Sequence, residues 1–72
     1  MKDEEFYKSL GSALRQEREK RNLSQQEIAE KLGVTKMAVS NWESGNRSMY
    51  AATLKEYCHV LGVSMSYILE KC

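Results

Sequence analysis

Apolar residues recur three and four apart along most of this chain, with charged and amide residues between them. Phe6, Leu10, Ala13 and Leu14 form one such stripe, which predicts a first helix from an Asp3 N-cap to about Arg21. Glu4 and Glu5 follow the cap, where acidic side chains complement the positive helix end. Asn22 and Leu23 break the period. Ser24, with Glu27 three residues on, fits a capping box and starts a second helix that ends at Leu32 and Gly33. Thr35 caps a third helix, which runs to about Ser44 with Gly45 as its C-cap. After a loop at 45–49, Ala51, Leu54, Tyr57, Cys58 and Leu61 mark a fourth helix, stopped by Gly62. Ser64 caps a short fifth, with Met65, Ile68 and Leu69 on one face.

The stretch from Gln25 to Trp42 carries the most information. It reads as two short amphipathic helices joined by a tight turn. Ala29 is small where the next helix must cross closely, and Gly33 sits where the chain reverses at positive φ. Ile28, Leu32, Val34, Val39 and Trp42 are the residues expected to lock the pair together. A helix held this way can lie in a DNA major groove. On a wheel of about 100° per residue, Ala38, Val39 and Trp42 turn inward, with Glu43 at the edge of that face. Lys36, Met37, Ser40, Asn41 and Ser44 turn outward.

That outward face is suited to base edges and phosphates, although a solvated helix presents similar residues. Lys36 can donate to guanine, Met37 can pack on a thymine methyl, and Asn41 can pair with adenine or a phosphate. Ser40 and Thr35 are candidate backbone contacts. Gln25, in the first turn of the second helix, can meet a phosphate or brace Lys36. Asn46 and Arg47 follow the third helix and can hold the DNA backbone on the far side, Arg47 by charge.

Composition narrows the class. Seventy-two residues form one domain, 1–72, and 42% hydrophobic content without proline favours an all-α fold. Net charge is only +1, and Lys31, Lys36 and Arg47 are matched by Glu27, Glu30 and Glu43. Global charge therefore does not argue for nucleic acid, and one copy is expected to bind weakly. No apolar run approaches the ~18 residues of a membrane span, and no signal-peptide core follows the charged start, so a cytoplasmic location is expected. Cys58 and Cys72 form no CxxC pair, and His59 adds no ligand cluster, so no metal is expected. Cys58 is expected to pack in the core and Cys72 to be an exposed thiol. There is no paired-carboxylate site, nucleophile–base pair or phosphate-cradling glycine loop. An enzyme, a cofactor and a small-molecule ligand are therefore not expected.

The chain as a whole resembles the lambda-repressor-like, Cro/XRE-type DNA-binding domains. The matching residues are Leu10, Gly11, Leu14, Arg18, the run Leu23-Ser24-Gln25, Ile28, Ala29 and Leu32-Gly33-Val34. They continue through Val39-Ser40-Asn41-Trp42-Glu43, Gly45, Leu54 and Leu61-Gly62-Val63-Ser64. The resemblance implies a compact five-helix domain with its helix-turn-helix at helices 2 and 3. It implies reading positions at Lys36, Met37 and Asn41, and a partly buried ion pair between Arg18 and Glu43. Two residues depart from the pattern. Glu17 stands where relatives often have an apolar residue, so helix 1 is expected to be less buried there. Met49 replaces a frequent loop proline.

The implied function is a sequence-specific regulator on double-stranded DNA, of the small phage or bacterial repressor kind. The alternative is a protein-interaction module, antirepressor-like or antitoxin-like, that kept the fold without DNA binding. A single reading helix covers one half-site, so a homodimer assembled on DNA is expected. If Met65, Ile68 and Leu69 face their own core, Tyr67 turns outward without an intramolecular partner, as the candidate dimer contact.

Overall fold

The computed structural model describes residues 3–72. Its helices are α1 (Asp3–Lys20), α2 (Gln25–Leu32), α3 (Lys36–Ser44), α4 (Ala51–Leu61) and α5 (Met65–Glu70). Among the described residues there is no strand. Each helix sends one residue into the common centre: Leu14, Ile28, Val39, Tyr57 and Ile68 are all fully buried. Helix α1 packs on α3, α4 and α5, and α2 packs on α3 and α4. Helix α5 touches α1 and α4 but not α3.

Local chemistry sets the helix ends. Asp3, expected as an N-cap, already lies inside α1, where its charge joins Glu4 and Glu5 in the first turn. The helix closes at Asn22, which takes φ 55°, a left-handed conformation that asparagine tolerates better than most residues. The capping box of α2 is complete: the Glu27 N–H donates to Ser24 Oγ and the Ser24 N–H to Glu27 Oε1, both at 3.0 Å. Gly33 takes φ 70°, and the next N–H, of Val34, donates to Ala29 O at 3.0 Å. That tight closure lets α3 start two residues later, at the Thr35 cap. It also turns Val34 out of the lock assigned to it, leaving that side chain 36% exposed.

Met49 restores apolar contact in the loop before α4, where it is buried. Its neighbour Tyr50 takes the N-cap position of α4 without a side-chain cap bond and is 83% exposed. In α5, Ser64 caps by accepting from the Tyr67 N–H at 3.1 Å. Ile68 is buried, but Leu69 is 40% exposed rather than core-facing, because a six-residue helix can turn only a narrow stripe inward. Cys58 is buried in the core as expected. Cys72 is half-buried, with Sγ donating to Ile68 O at 3.6 Å, which corrects its placement as an exposed thiol. Burial pushes both thiols up.

Glu17 overturns the expectation that helix 1 is less buried at that position. It is 1% exposed and sits under a cap of cations. Lys71 Nζ reaches Glu17 Oε2 at 2.9 Å, Arg21 Nη1 reaches Oε1 at 2.9 Å, and Lys20 Nζ reaches Oε2 at 3.1 Å. Hydrogen bonds from Lys71 first, then Arg21, hold its carboxyl down to about 2, against burial, which works the other way. Tyr67 belongs to the same cluster: its hydroxyl lies 3.4 Å from Glu17 Oε2, and the Lys71 ammonium stands 4.7 Å from its ring centre. The expectation that Tyr67 lacks an intramolecular partner is therefore corrected. These contacts tie α5 to α1 while leaving the ring 41% exposed.

Candidate nucleic-acid interface

Helix α3 buries Ala38, Val39, Trp42 and Glu43, and this fixes which residues it presents to solvent. Lys36 and Met37 are exposed in its first turn, with Met37 72% accessible. Ser40 and Asn41, one turn on, are half-buried. Lys36, Met37, Ser40 and Asn41 thus combine a cation, a thioether, a hydroxyl and an amide on one unobstructed helix face. Ser44 is exposed, but its hydroxyl donates to Asn41 O at 3.2 Å.

The flanking candidates frame this face. The Thr35 hydroxyl oxygen accepts the Ala38 N–H at 3.2 Å, so the cap is occupied while its own hydrogen stays free to donate. Asn46 and Arg47 are both exposed beyond the C-terminus of α3. The Asn46 N–H donates back to Asn41 O at 3.0 Å, which anchors the loop to the helix it follows. Gly45, at the head of that loop, lies against the Lys8 backbone of α1. The exposed Lys8 therefore stands beside the loop that carries Arg47.

Behind α3 lies the charged centre of the molecule. Arg18 Nε donates to Glu43 Oε2 at 2.8 Å and Arg18 Nη2 to Glu43 Oε1 at 3.0 Å, a two-pronged pair with both side chains buried. The remaining Arg18 nitrogen, Nη1, donates to Leu23 O at 2.7 Å, just ahead of α2. The Tyr57 hydroxyl donates to Glu43 Oε2. Gln25 Nε2 donates to Glu43 Oε1 at 3.0 Å. Gln25 therefore braces Glu43 at the far end of α3, not Lys36 at its start. Burial on its own would raise the Glu43 carboxyl, but the hydrogen bonds from Arg18, Tyr57 and Gln25 hold it below the usual carboxylate range. The bond to Glu43 raises Arg18, and burial together with Glu43 raises Tyr57.

Three features went unread in the sequence. Tyr57 looks like one more apolar residue of the α4 stripe, and nothing local announces that its hydroxyl reaches α3. Lys8 comes beside Arg47 only through the crossing of α1 and α3. Tyr50 could have been found: with Met49 turned inward, its neighbour faces solvent beside the loop that carries Arg47. Tyr67 stands outside this surface, on a helix that does not touch α3.

A helix-turn-helix family model matches residues 14–68. The chain is 38% identical over 53 residues to the uncharacterized HTH-type transcriptional regulator YqaE of Bacillus subtilis, covering 74% of this chain and 46% of that protein. It is 36% identical over 63 residues to the HTH-type transcriptional regulator ImmR of the same organism, covering 88% of this chain and 50% of that one. It thus spans about half the length of these curated relatives. Among solved structures it is similar to the clp gene regulator ClgR of Corynebacterium glutamicum, with a TM-score of 0.89 and 30% identity. That match covers 92% of this chain and 70% of the other.

Proposed function

The chain belongs to the Cro/C1-type helix-turn-helix family, and on that premise we propose that it is a sequence-specific DNA-binding transcriptional regulator. The observation that carries the reading is the outward face of α3, polar and unobstructed on a helix whose other side is locked into the core. Lys36, Met37 and Asn41 meet base edges in the major groove. Gln25, Thr35, Ser40, Asn46 and Arg47 hold the phosphate backbone on either side and set the register. The work is binding and not catalysis, and it is done in the cytoplasm.

A small repressor of this kind acts as a homodimer, each copy reading one half-site about 34 Å from the other. Helix α5 supports that arrangement, since it leaves Tyr67 and Leu69 each partly exposed. The exposed area is modest, so the dimer assembles mainly on DNA.

Selection of bound sites from random duplexes, followed by titration of the winner at two salt concentrations, tests the reading. A regulator gives a two-fold symmetric site and binding that weakens steeply with salt. Absence of salt-dependent binding would instead favour an antirepressor-like or antitoxin-like interaction module, for which the net charge of +1 speaks.

A further inference from the structure

Glu43 is 6% exposed, and its two oxygens take hydrogens from three other helices: twice from Arg18 of α1, once from Tyr57 of α4 and once from Gln25 of α2. Arg18 already matches its charge. The bond from Gln25 is therefore not needed to neutralise the carboxylate, and what it does is fix Gln25. Gln25 is the first residue of α2, in the turn whose backbone N–H groups have no partner within the helix. An amide nitrogen carries two hydrogens. Glu43 takes one from Gln25 Nε2, and the other is left for an acceptor outside the protein.

On the DNA-binding reading above, we infer that Glu43 is a positioning residue for the phosphate contact. It holds the amide of Gln25, the first residue of α2, in one position, and Arg18 and Tyr57 keep Glu43 itself from moving. A long glutamine side chain then arrives at the phosphate with its rotamer already chosen, so little freedom is lost on binding. The paired Arg18 cancels the carboxylate's charge, so the anchor does not repel the anion it serves. Gln16 of α1 is the internal contrast: it is exposed and makes no side-chain hydrogen bond among the described residues.

Side-chain nitrogen relaxation on the free 72-residue chain reads this directly. The Gln25 amide should show an order parameter close to rigid backbone, about 0.85, while Gln16 falls below about 0.6. A Gln25 amide as mobile as that of Gln16 overturns the inference. Binding to a duplex of arbitrary sequence at low salt supplies the second reading, since phosphate contacts do not depend on sequence. Gln25→Met and Glu43→Gln should each weaken binding roughly two- to ten-fold, the effect of having to order one flexible side chain. The double variant should be no weaker than the worse single one, and additive losses refute the coupling. Should Glu43→Gln fail to fold, Tyr57→Phe replaces it, because both Arg18 bonds to Glu43 survive that change. It should lower the Gln25 order parameter and the affinity together; either one moving alone counts against the inference. If the native chain binds no duplex, the inference falls with the DNA reading. If it binds with a mobile Gln25, the inference falls alone.

Discussion

Gly11 of α1 lies directly against the backbone of Trp42 in α3. A β-carbon at Gly11 would stand 2.5 Å from Glu43 O and closer still to Trp42 O. The obstruction is helix backbone, which cannot swing aside as a side chain can. The two helices therefore cross with no side chain between them, and two turns further along α1 Arg18 comes within reach of Glu43.

Gly11→Ala should destabilise the domain despite alanine's better helix propensity. The propensity gain is about 0.5–1 kcal/mol, whereas overpacking at a rigid contact costs about 1–3 kcal/mol or more. In a domain of this size each kcal/mol lowers Tm by roughly 4–8 °C. A thermal melt with unchanged or raised Tm would refute the close crossing.

Arg18→Ala and Glu43→Ala should each cost about 3–5 kcal/mol, because each leaves a buried charge without its partner. Arg15→Ala is the control. Its pair with Glu19 is 61% and 53% exposed, and its loss should cost about 0–1 kcal/mol. Denaturant unfolding of the two single variants and the double variant gives the coupling energy. A coupling between Arg18 and Glu43 no larger than the exposed pair's would show that the network adds nothing.

Stability should fall in acid through Glu17. Its folded carboxyl sits at about 2, below an ordinary value of 4.5, chiefly through the Lys71 hydrogen bond. A depressed folded value means stability that is fully present above 4.5 and lost as pH drops toward 2. Glu17→Gln should flatten the dependence of Tm on pH across that window. Direct titration of the Glu17 carboxyl by NMR with a midpoint near 4.5 would rule the cluster out as its cause.

On a selected operator, Lys36→Ala should cost about 1–3 kcal/mol and relax preference at one base step. Met37→Ala should relax preference wherever a thymine methyl is met. Arg47→Ala should weaken all sequences alike and reduce the salt slope by about one. Unchanged preference and affinity in Lys36→Ala would remove α3 from base reading.

What could be read in advance was what depends on neighbours in sequence. Ser24 with Glu27, Gly33 and Thr35 set helix ends through bonds spanning three or four residues, and each lies where the spacing put it. The outward face of α3 followed from periodicity alone. What escaped depends on chain segments far apart. Glu17 looked like a misplaced charge because Lys71, which completes the cluster around it with Lys20 and Arg21, is 54 residues away. Tyr67 looked unpartnered for the same reason. For Gln25 the sequence offers a phosphate or Lys36, and only the crossing of α2 and α3 brings its amide to Glu43. The Arg18–Glu43 pair came from the family resemblance and not from local pattern, since no spacing rule joins residues 25 apart.

The four donors on Glu43 also determine how this domain can come apart. None of α1, α2, α3 and α4 can peel away without leaving a charge or a donor stranded in the interior. Amide hydrogens in those helices should therefore exchange with solvent through one shared opening event, at a rate set by global unfolding. Helix α5 has no bond to that carboxylate. It is held by Ile68 and by the cations around Glu17, so it can lift off while the rest stays closed, and its amides should exchange first.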